Sequence, residues 1–409
     1  MNRSTGAVFA LPLIGIGLFA ILSFDAPWRG EWNWTFDAIT GSSVLTGPLT
    51  ASAAAHIAIG QRRLDPLVAP MARGWMVPFR TGLRAWLWGL AAYTLTAGGA
   101  ALATALTPHG GPASGWVLAV GPVLLACCAM AGTALGWLWP HRLAPILAAP
   151  AVFLLGTFGP RPLPDLLRHG PVTGSLAGLE YVPWVWWAQL GGLLGLTGLA
   201  AAVVLRWQVP AVRTRGLGLT LISTGLLVIT SVPLVSEDSS RFAPSDERPT
   251  ACAGARPRTC LAPSNTRYLA PTASAIDKAA QVLEGIGVDL PATYEQLLPG
   301  YRPPVESGML TAIDDVDASL RRGASLIATP AACTAWTDRE VPPPEVAYEA
   351  QGLISAWIVA SQGLSGDPWS EEARRWLADP AAPDRIAWMR AAFGDLRACR
   401  FSRLALPWD

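Results

Sequence analysis

Apolar residues in this chain gather into seven long runs before residue 236 and thin out after it. The runs are approximately Ala7–Phe24, Ala38–Gly60, Ala85–Leu106, Trp116–Trp139, Leu143–Gly159, Trp184–Leu205 and Gly216–Val235. Each lies near the roughly 20 residues needed to cross a hydrocarbon core. Only Arg3 precedes the first run, no small-residue cleavage site follows it, and more runs come after, so it is expected to persist as a helix rather than act as a signal peptide. The second is rich in Gly, Ser, Thr and Ala, which suits close helix–helix approach inside a bundle. The fifth is short and carries Pro145 and Pro150, so the expected fold class is all-α, a polytopic membrane bundle of six or seven spans. As bounded here the runs contain no Asp, Glu, Lys or Arg. Ion-coupled carriers keep such a residue near the midplane, so a proton-driven mechanism is not expected.

After Val235 the pattern changes to shorter amphipathic stretches with helix-start signals. Residues 1–235 are therefore assigned to a transmembrane domain, 236–250 to a linker and 251–409 to a second, mostly helical domain. Thr272 or Ser274 is expected to cap a helix ending at Gly285, and Ser307 to open another running to Arg322. Pro344 suits the start of a helix over Glu345–Gln362. Ser370 before Glu371 and Glu372 has the acid-at-first-turn signature, and Asp384 begins the last helix. Trp336, Trp357, Trp376 and Trp388 fall at helical spacing and are expected in the core.

Charge decides orientation. With the N-terminus inside, the inner segments hold Arg3, Arg62, Arg63, Arg73, Arg80, Arg84, Arg142, Arg206, Arg213 and Arg215. The outer segments hold only Arg29, Arg161 and Arg168. Positively charged loops stay cytoplasmic, and seven crossings then deliver the downstream domain to the cell exterior. Cysteine usage agrees. Cys127 and Cys128 sit mid-run, whereas Cys252, Cys260, Cys333 and Cys399 all lie past the last run, where an oxidising compartment favours disulfides. Of the three possible pairings, Cys252–Cys260 and Cys333–Cys399 are favoured. The net charge of +1 supplies no electrostatic case for a nucleic-acid partner.

The inventory of reactive groups points away from catalysis. There is no phosphate-binding glycine loop with Lys-Ser/Thr, no His-Glu-x-x-His and no Gly-x-Ser-x-Gly. His56, His109, His141 and His169 all fall upstream, leaving the downstream domain without the commonest general base and metal ligand. Asp314, Asp315 and Asp317 lack the calcium-loop glycine and terminal glutamate, so they are expected on a solvated helix face. Gln189 is expected to cross-link helices. No enzyme activity, metal or cofactor is expected.

Two loops carry the remaining signal. Gln61–Arg84 mixes Leu64, Leu67, Met71, Trp75, Met76 and Phe79 with arginines, a composition fit to lie in the interface or dock a soluble partner. Its candidate docking residues are Arg73, Trp75, Phe79 and Arg80. Pro160–Pro183 is rich in breakers and has room for a re-entrant piece around Pro164–His169.

The first run followed by Trp28, Trp32 and Trp34, the small-residue second run with Gly47-Pro48 and Ala51–Ala55 leading into Gln61-Arg62-Arg63, and the Cys252…Cys260-Leu-Ala-Pro hairpin are the residues behind a resemblance. Together they resemble ABC-2-type permeases, the membrane subunits of ATP-driven exporters, in a high-GC bacterial group with an added extracytoplasmic domain. The resemblance implies a non-catalytic membrane subunit, a separate ATPase docking at Gln61–Arg84, a lipid bilayer around the upstream half, and a possible homodimer. It implies no catalytic residue. The class typically has six spans and both termini inside, whereas this pattern gives seven runs and an outer C-terminus. The alternative expectation is a receptor or assembly protein acting through its outer domain.

Overall fold

Each apolar run folds as a helix, because its backbone polar groups can then be satisfied within the segment. The structure is a computed structural model describing residues 4–22, 28–63, 76–167, 174–208, 213–236, 241–304, 306–311, 313, 316–329, 343–365 and 368–408. The upstream helices are α1 (Ser4–Leu22), α2 (Trp32–Arg62), α3 (Val77–Ala105), α4 (Val120–Leu138, preceded by a 3-10 turn over Gly115–Ala119), α5 (Ala144–Phe158), the short α6 (Leu163–Leu167), α7 (Pro183–Gln208) and α8 (Arg213–Ser236). Strand β1 (Leu179–Tyr181) precedes α7, and β2 (Phe242–Pro244) follows α8 and pairs with it. The chain is mostly helical. Two stretches among the described residues, Gly115–Leu138 and Pro183–Arg206, are helices long and apolar enough to cross a membrane, and Leu11–Leu22, Ala144–Phe158 and Gly216–Val232 are shorter apolar helices.

The chain divides into two compact units. The first comprises residues 1–106, 112–176 and 180–243. Beside a buried apolar core that includes Ile39, Leu125, Trp186 and Leu193, it exposes many large apolar side chains and buries many hydroxyls. Leu11 and Phe19 of α1, Leu95 and Leu102 of α3, Ile146 and Phe158 of α5, and Leu221, Ile222 and Ile229 of α8 are exposed, the last at 73%. Thr40, Ser43, Thr46 and Thr50 of α2, Thr96 of α3 and Thr133 of α4 are buried. Their hydroxyls donate to carbonyls three or four residues back, so they turn inward without losing hydrogen bonds.

Missing side chains let α2 and α4 touch backbone to backbone. A Cβ on Gly132 would stand 2.0 Å from the Ala51 carbonyl oxygen, and one on Gly136 would stand 2.6 Å from that of Ala55. The four-residue spacing on both helices repeats the contact one turn on, the small-xxx-small geometry of close helix pairs. α7 and α8 meet similarly, with Gly195 against the Ser223 carbonyl and Gly198 against the Ser223 hydroxyl.

The second unit comprises residues 107–111, 177–179 and 244–409. It holds β3 (Ala251–Ala253), β4 (Arg258–Leu261), α9 (Thr266–Gly285), β5 (Thr293–Gln296), β6 (Gly308–Leu310), α10 (Leu320–Ile327), α11 (Glu345–Ala360), α12 (Glu371–Leu377) and α13 (Pro383–Arg397). The expectation of an all-α chain is corrected here, because β3–β4–β5–β6 form a four-stranded sheet, antiparallel at β3–β4 and parallel thereafter. The helix expected from Ser307 does not form. Gly308 lies beneath the Tyr294 ring, where a Cβ would stand 2.2 Å from the ring carbons, and Gly308–Leu310 pairs with β5 instead. Ser319 caps the following helix through its side chain, and Ser370 caps α12 in the same way. The segment read as a linker is partly structured, with β2 reaching Pro244 and the Glu247 carboxylate accepting from Gly178 N, Ser264 N and Ser264 Oγ within this unit.

The core of the second unit joins Leu261, Ile276, Leu283, Leu310, Ile327, Leu353, Trp357 and Phe393. Trp376 and Trp388 pack against it in a T-shaped pair with centroids 5.1 Å apart, and Trp336 lies outside the described residues. Cys252 and Cys260 face each other across β3–β4 and form a disulfide. Cys399 is also disulfide-bonded, and its expected partner Cys333 lies outside the described residues. Cys127 and Cys128 are buried free thiols.

Two substitutions test this packing. Gly132→Leu should cost at least about 3 kcal/mol, because backbone rather than a movable side chain occupies the space. Thermal unfolding of the detergent-solubilised chain should show a lowered midpoint, with Gly132→Ala intermediate. Tyr294→Phe should be neutral or stabilising by up to about 1 kcal/mol, since the buried Tyr294 hydroxyl has no hydrogen-bond partner among the described residues.

Candidate functional site

The start of α2 builds a polar interior in the first unit, with Glu31, Asn33, Thr35 and Asp37 all buried. Glu31 stands at the N-cap in extended backbone, and its carbonyl accepts from Thr35 N at 2.9 Å and Thr35 Oγ1 at 2.8 Å. Its side chain does not cap the helix. It turns to the segment before β1, where Ser175 Oγ donates to it at 2.7 Å and Leu176 N at 2.6 Å. Asn33 works in two directions, its Oδ1 accepting from Ser114 N at 3.0 Å and its carbonyl accepting from the Tyr181 hydroxyl at 2.6 Å. Thr35 and Thr104 then tie α2 to α3 at 2.6 Å. Glu31 and Asp37 are only 3% and 2% exposed, so two carboxylates sit inside the unit.

Aromatic rings enclose this network. Tyr181 meets Trp186 edge-on at 5.2 Å and Phe242 at the same distance, while Trp116 makes a T-shaped contact with Trp186 and stacks on Trp187. Burial pushes the Tyr181 phenol far above its ordinary range, and the negative charges of Asp37 and then Glu31 push it the same way. The phenol therefore stays protonated and remains a donor to Asn33. Acidic groups at a helix N-terminus are favoured by the exposed N–H groups and dipole there, which offsets part of the cost of burying them. Chemically the arrangement is a clamp: it holds the helix start against the turns around Ser114 and Ser175.

The apolar-run boundaries concealed this site. A second run opened at Ala38 excludes Asp37 from the apolar runs, but α2 begins at Trp32 and takes Asp37 into its second turn. The available signal was two acids, Glu31 inside the aromatic stretch Trp28–Phe36 and Asp37 directly after it. Gln189 cross-links helices, its Nε2 donating to the Asp165 carbonyl at 2.7 Å and so joining α7 to α6. That short helix lies where a re-entrant piece was expected, with Leu166 fully buried, while His169 lies outside the described residues.

Of the candidate docking residues, Phe79 is half-buried and Arg80 exposed in the first turn of α3, and Arg73 and Trp75 lie outside the described residues. Asp317 is exposed and turns back to accept from Ser319 N at 2.8 Å and Ser319 Oγ at 2.6 Å, hydrogen bonds that hold its carboxyl below the usual range. Asp314 and Asp315 lie outside the described residues, and no cluster of metal-ligating side chains occurs among those described. Comparison with protein-family models, with curated proteins and with solved structures finds no match.

Glu31→Ala should leave two donors without an acceptor and cost roughly 2–3 kcal/mol. Limited proteolysis of the purified chain should then cut faster near Ser175, while Asp165 and its neighbours on α6 keep their protection.

Proposed function

We propose that this chain is an integral membrane protein whose first unit is a bundle of six or seven spans, serving as the non-catalytic, permease-like subunit of an ABC-type exporter. The observation that carries the membrane reading is the large number of apolar side chains exposed on the first unit, on α1, α3, α5 and α8, while threonine and serine hydroxyls lie buried within it. Water on such a surface would be unfavourable at about 25 cal/mol per Å2 of apolar area, whereas lipid removes that cost. Length supports the reading as well. At about 1.5 Å per residue, the 31 residues of α2 and 29 of α3 exceed a hydrocarbon core of roughly 30 Å, so tilt or projection is required.

The proposed orientation has the N-terminus in the cytoplasm and the downstream unit outside. Disulfide-bonded Cys252, Cys260 and Cys399 support an oxidising compartment for that unit. The segments Thr107–Gly111 and Ala177–Leu179, which the arginine count makes outer, belong to the same compact unit as the downstream chain. The ATPase would be a separate chain docking on Gln61–Arg84, with Phe79 and Arg80 as its described candidate residues.

A second reading, a receptor or assembly protein acting through the downstream unit, is favoured by one observation. A groove of about 330 Å3 there is lined by Arg321, Tyr348, Gln351 and Trp369, and the two aromatic rings are half-exposed. Tyr and Trp combine apolar area with a polar tip and suit recognition surfaces.

One experiment separates the readings. The chain, purified from its native membrane, should bring an ATPase with it, and Phe79→Asp with Arg80→Glu should lose that partner while the chain remains membrane-inserted. Retention of the ATPase by the double variant removes the docking assignment. Capture of an outer-surface component without any ATPase favours the receptor. A reporter fused after residue 409 and active only in the cytosol removes the orientation.

A further inference from the structure

The downstream unit carries a second groove, about 400 Å3, between α13 and the turn that follows α9. Its walls are Arg390, Phe393, Gly394 and Arg397 on one side and Gly287, Val288 and Asp289 on the other. Arg390 and Arg397 are seven residues apart and so share a helix face. Each is anchored by a single bond to the turn. Arg390 Nε donates to the Ile286 carbonyl, and Arg397 Nη1 donates to the Asp289 carbonyl at 2.7 Å.

The anchoring leaves most of the chemistry unused. A guanidinium has five N–H donors and no acceptor, so each arginine keeps four donors beyond its anchor. Neither side chain forms an ion pair among the described residues. Two glycines keep the space open. Gly394, between the arginines, has nothing within 4 Å of where a Cβ would stand. Gly287 has a left-handed φ of 75° and faces the Arg390 guanidinium, 3.5 Å from such a Cβ to Nη2. Asp289 also lines the groove and is exposed, and its carboxylate, which forms no ion pair with either arginine among the described residues, adds one negative charge to the neighbourhood.

We propose that this groove binds a phosphate oxyanion. The ligand must be rich in acceptors, because the arginines present only donors, and planar guanidinium forks match tetrahedral oxyanions in paired N–H···O contacts. Pre-anchored guanidinium groups lose little further freedom on binding, so the affinity is not spent on ordering them. A free phosphate and the phosphodiester of an anionic lipid headgroup share this chemistry.

The test uses the full chain in detergent. One arm titrates inorganic phosphate calorimetrically, and the other measures binding to mixed micelles containing phosphatidylglycerol, with phosphatidylcholine as control. Saturable binding is expected in at least one arm, and the arm identifies the source. Arg390→Gln and Arg397→Gln should each weaken it about tenfold or more, the loss expected for a charge-assisted contact. Asp289→Asn leaves its backbone carbonyl in place as the Arg397 anchor and should tighten binding several-fold. If the arginine variants do not fold, Asp289→Asn alone decides. Absence of binding in both arms, unchanged affinity in folded arginine variants, or unchanged affinity in Asp289→Asn overturns the proposal and leaves the arginines as staples of the turn.

Discussion

The contact between α2 and α4 is the constraint on which the first unit is built. Gly132 and Gly136 bring one helix backbone against the carbonyls of Ala51 and Ala55, closer than any side chain allows. Dispersion contacts at such a crossing are short and numerous, and they need no hydrophobic driving force. The same approach places the hydroxyl-bearing face of α2 inside the unit, where Thr40, Thr46 and Thr50 are satisfied by their own helix. Large apolar side chains such as Leu125, Trp186 and Leu193 fill the interior beside these hydroxyls, while others such as Leu221, Ile222 and Ile229 are exposed.

Buried polar groups cost least where they are partnered, and the start of α2 shows how that is done. Glu31 takes two donors from the segment at Ser175, and Asn33 takes one from Ser114 while its carbonyl receives the Tyr181 hydroxyl. Aromatic rings pack around Tyr181, and in such a low-dielectric setting a hydrogen bond is electrostatically stronger than in water. The downstream unit solves the problem differently. Its core is a conventional apolar one around α9 and α11, and its polar clamps, such as Glu247 on Ser264 and Gly178, lie nearer the surface. These contrasting solutions fit the two environments proposed for the halves, and the arginine groove lies in the second.

Chain pattern and fold agree where the forces are local. Helix starts at Ser370 and near Asp384, the helix from Glu345 and the packing of Trp357 follow from capping residues and apolar spacing that act within a few turns. The sheet was illegible for the converse reason. β4, β5 and β6 are three or four residues long and pair in parallel across long separations, too short to show alternation. Asp37 was misplaced because hydropathy marks where apolar residues begin, while the helix begins where its hydrogen bonds do, at Trp32. Nor does spacing along the chain show that Glu31 meets Ser175, since those residues lie 144 positions apart.

The sequence by itself determined which segments are apolar helices, which half carries the paired cysteines, and which way the arginines bias the loops. Those properties depend on composition and on neighbours within a turn or two. Tertiary structure alone decided which helix faces turn inward, that glycines on α4 meet alanines on α2, that a sheet forms around β5, and that two arginines of α13 flank an open groove. Those properties arise from contacts between distant segments, and their energy belongs to the pair rather than to either stretch of chain.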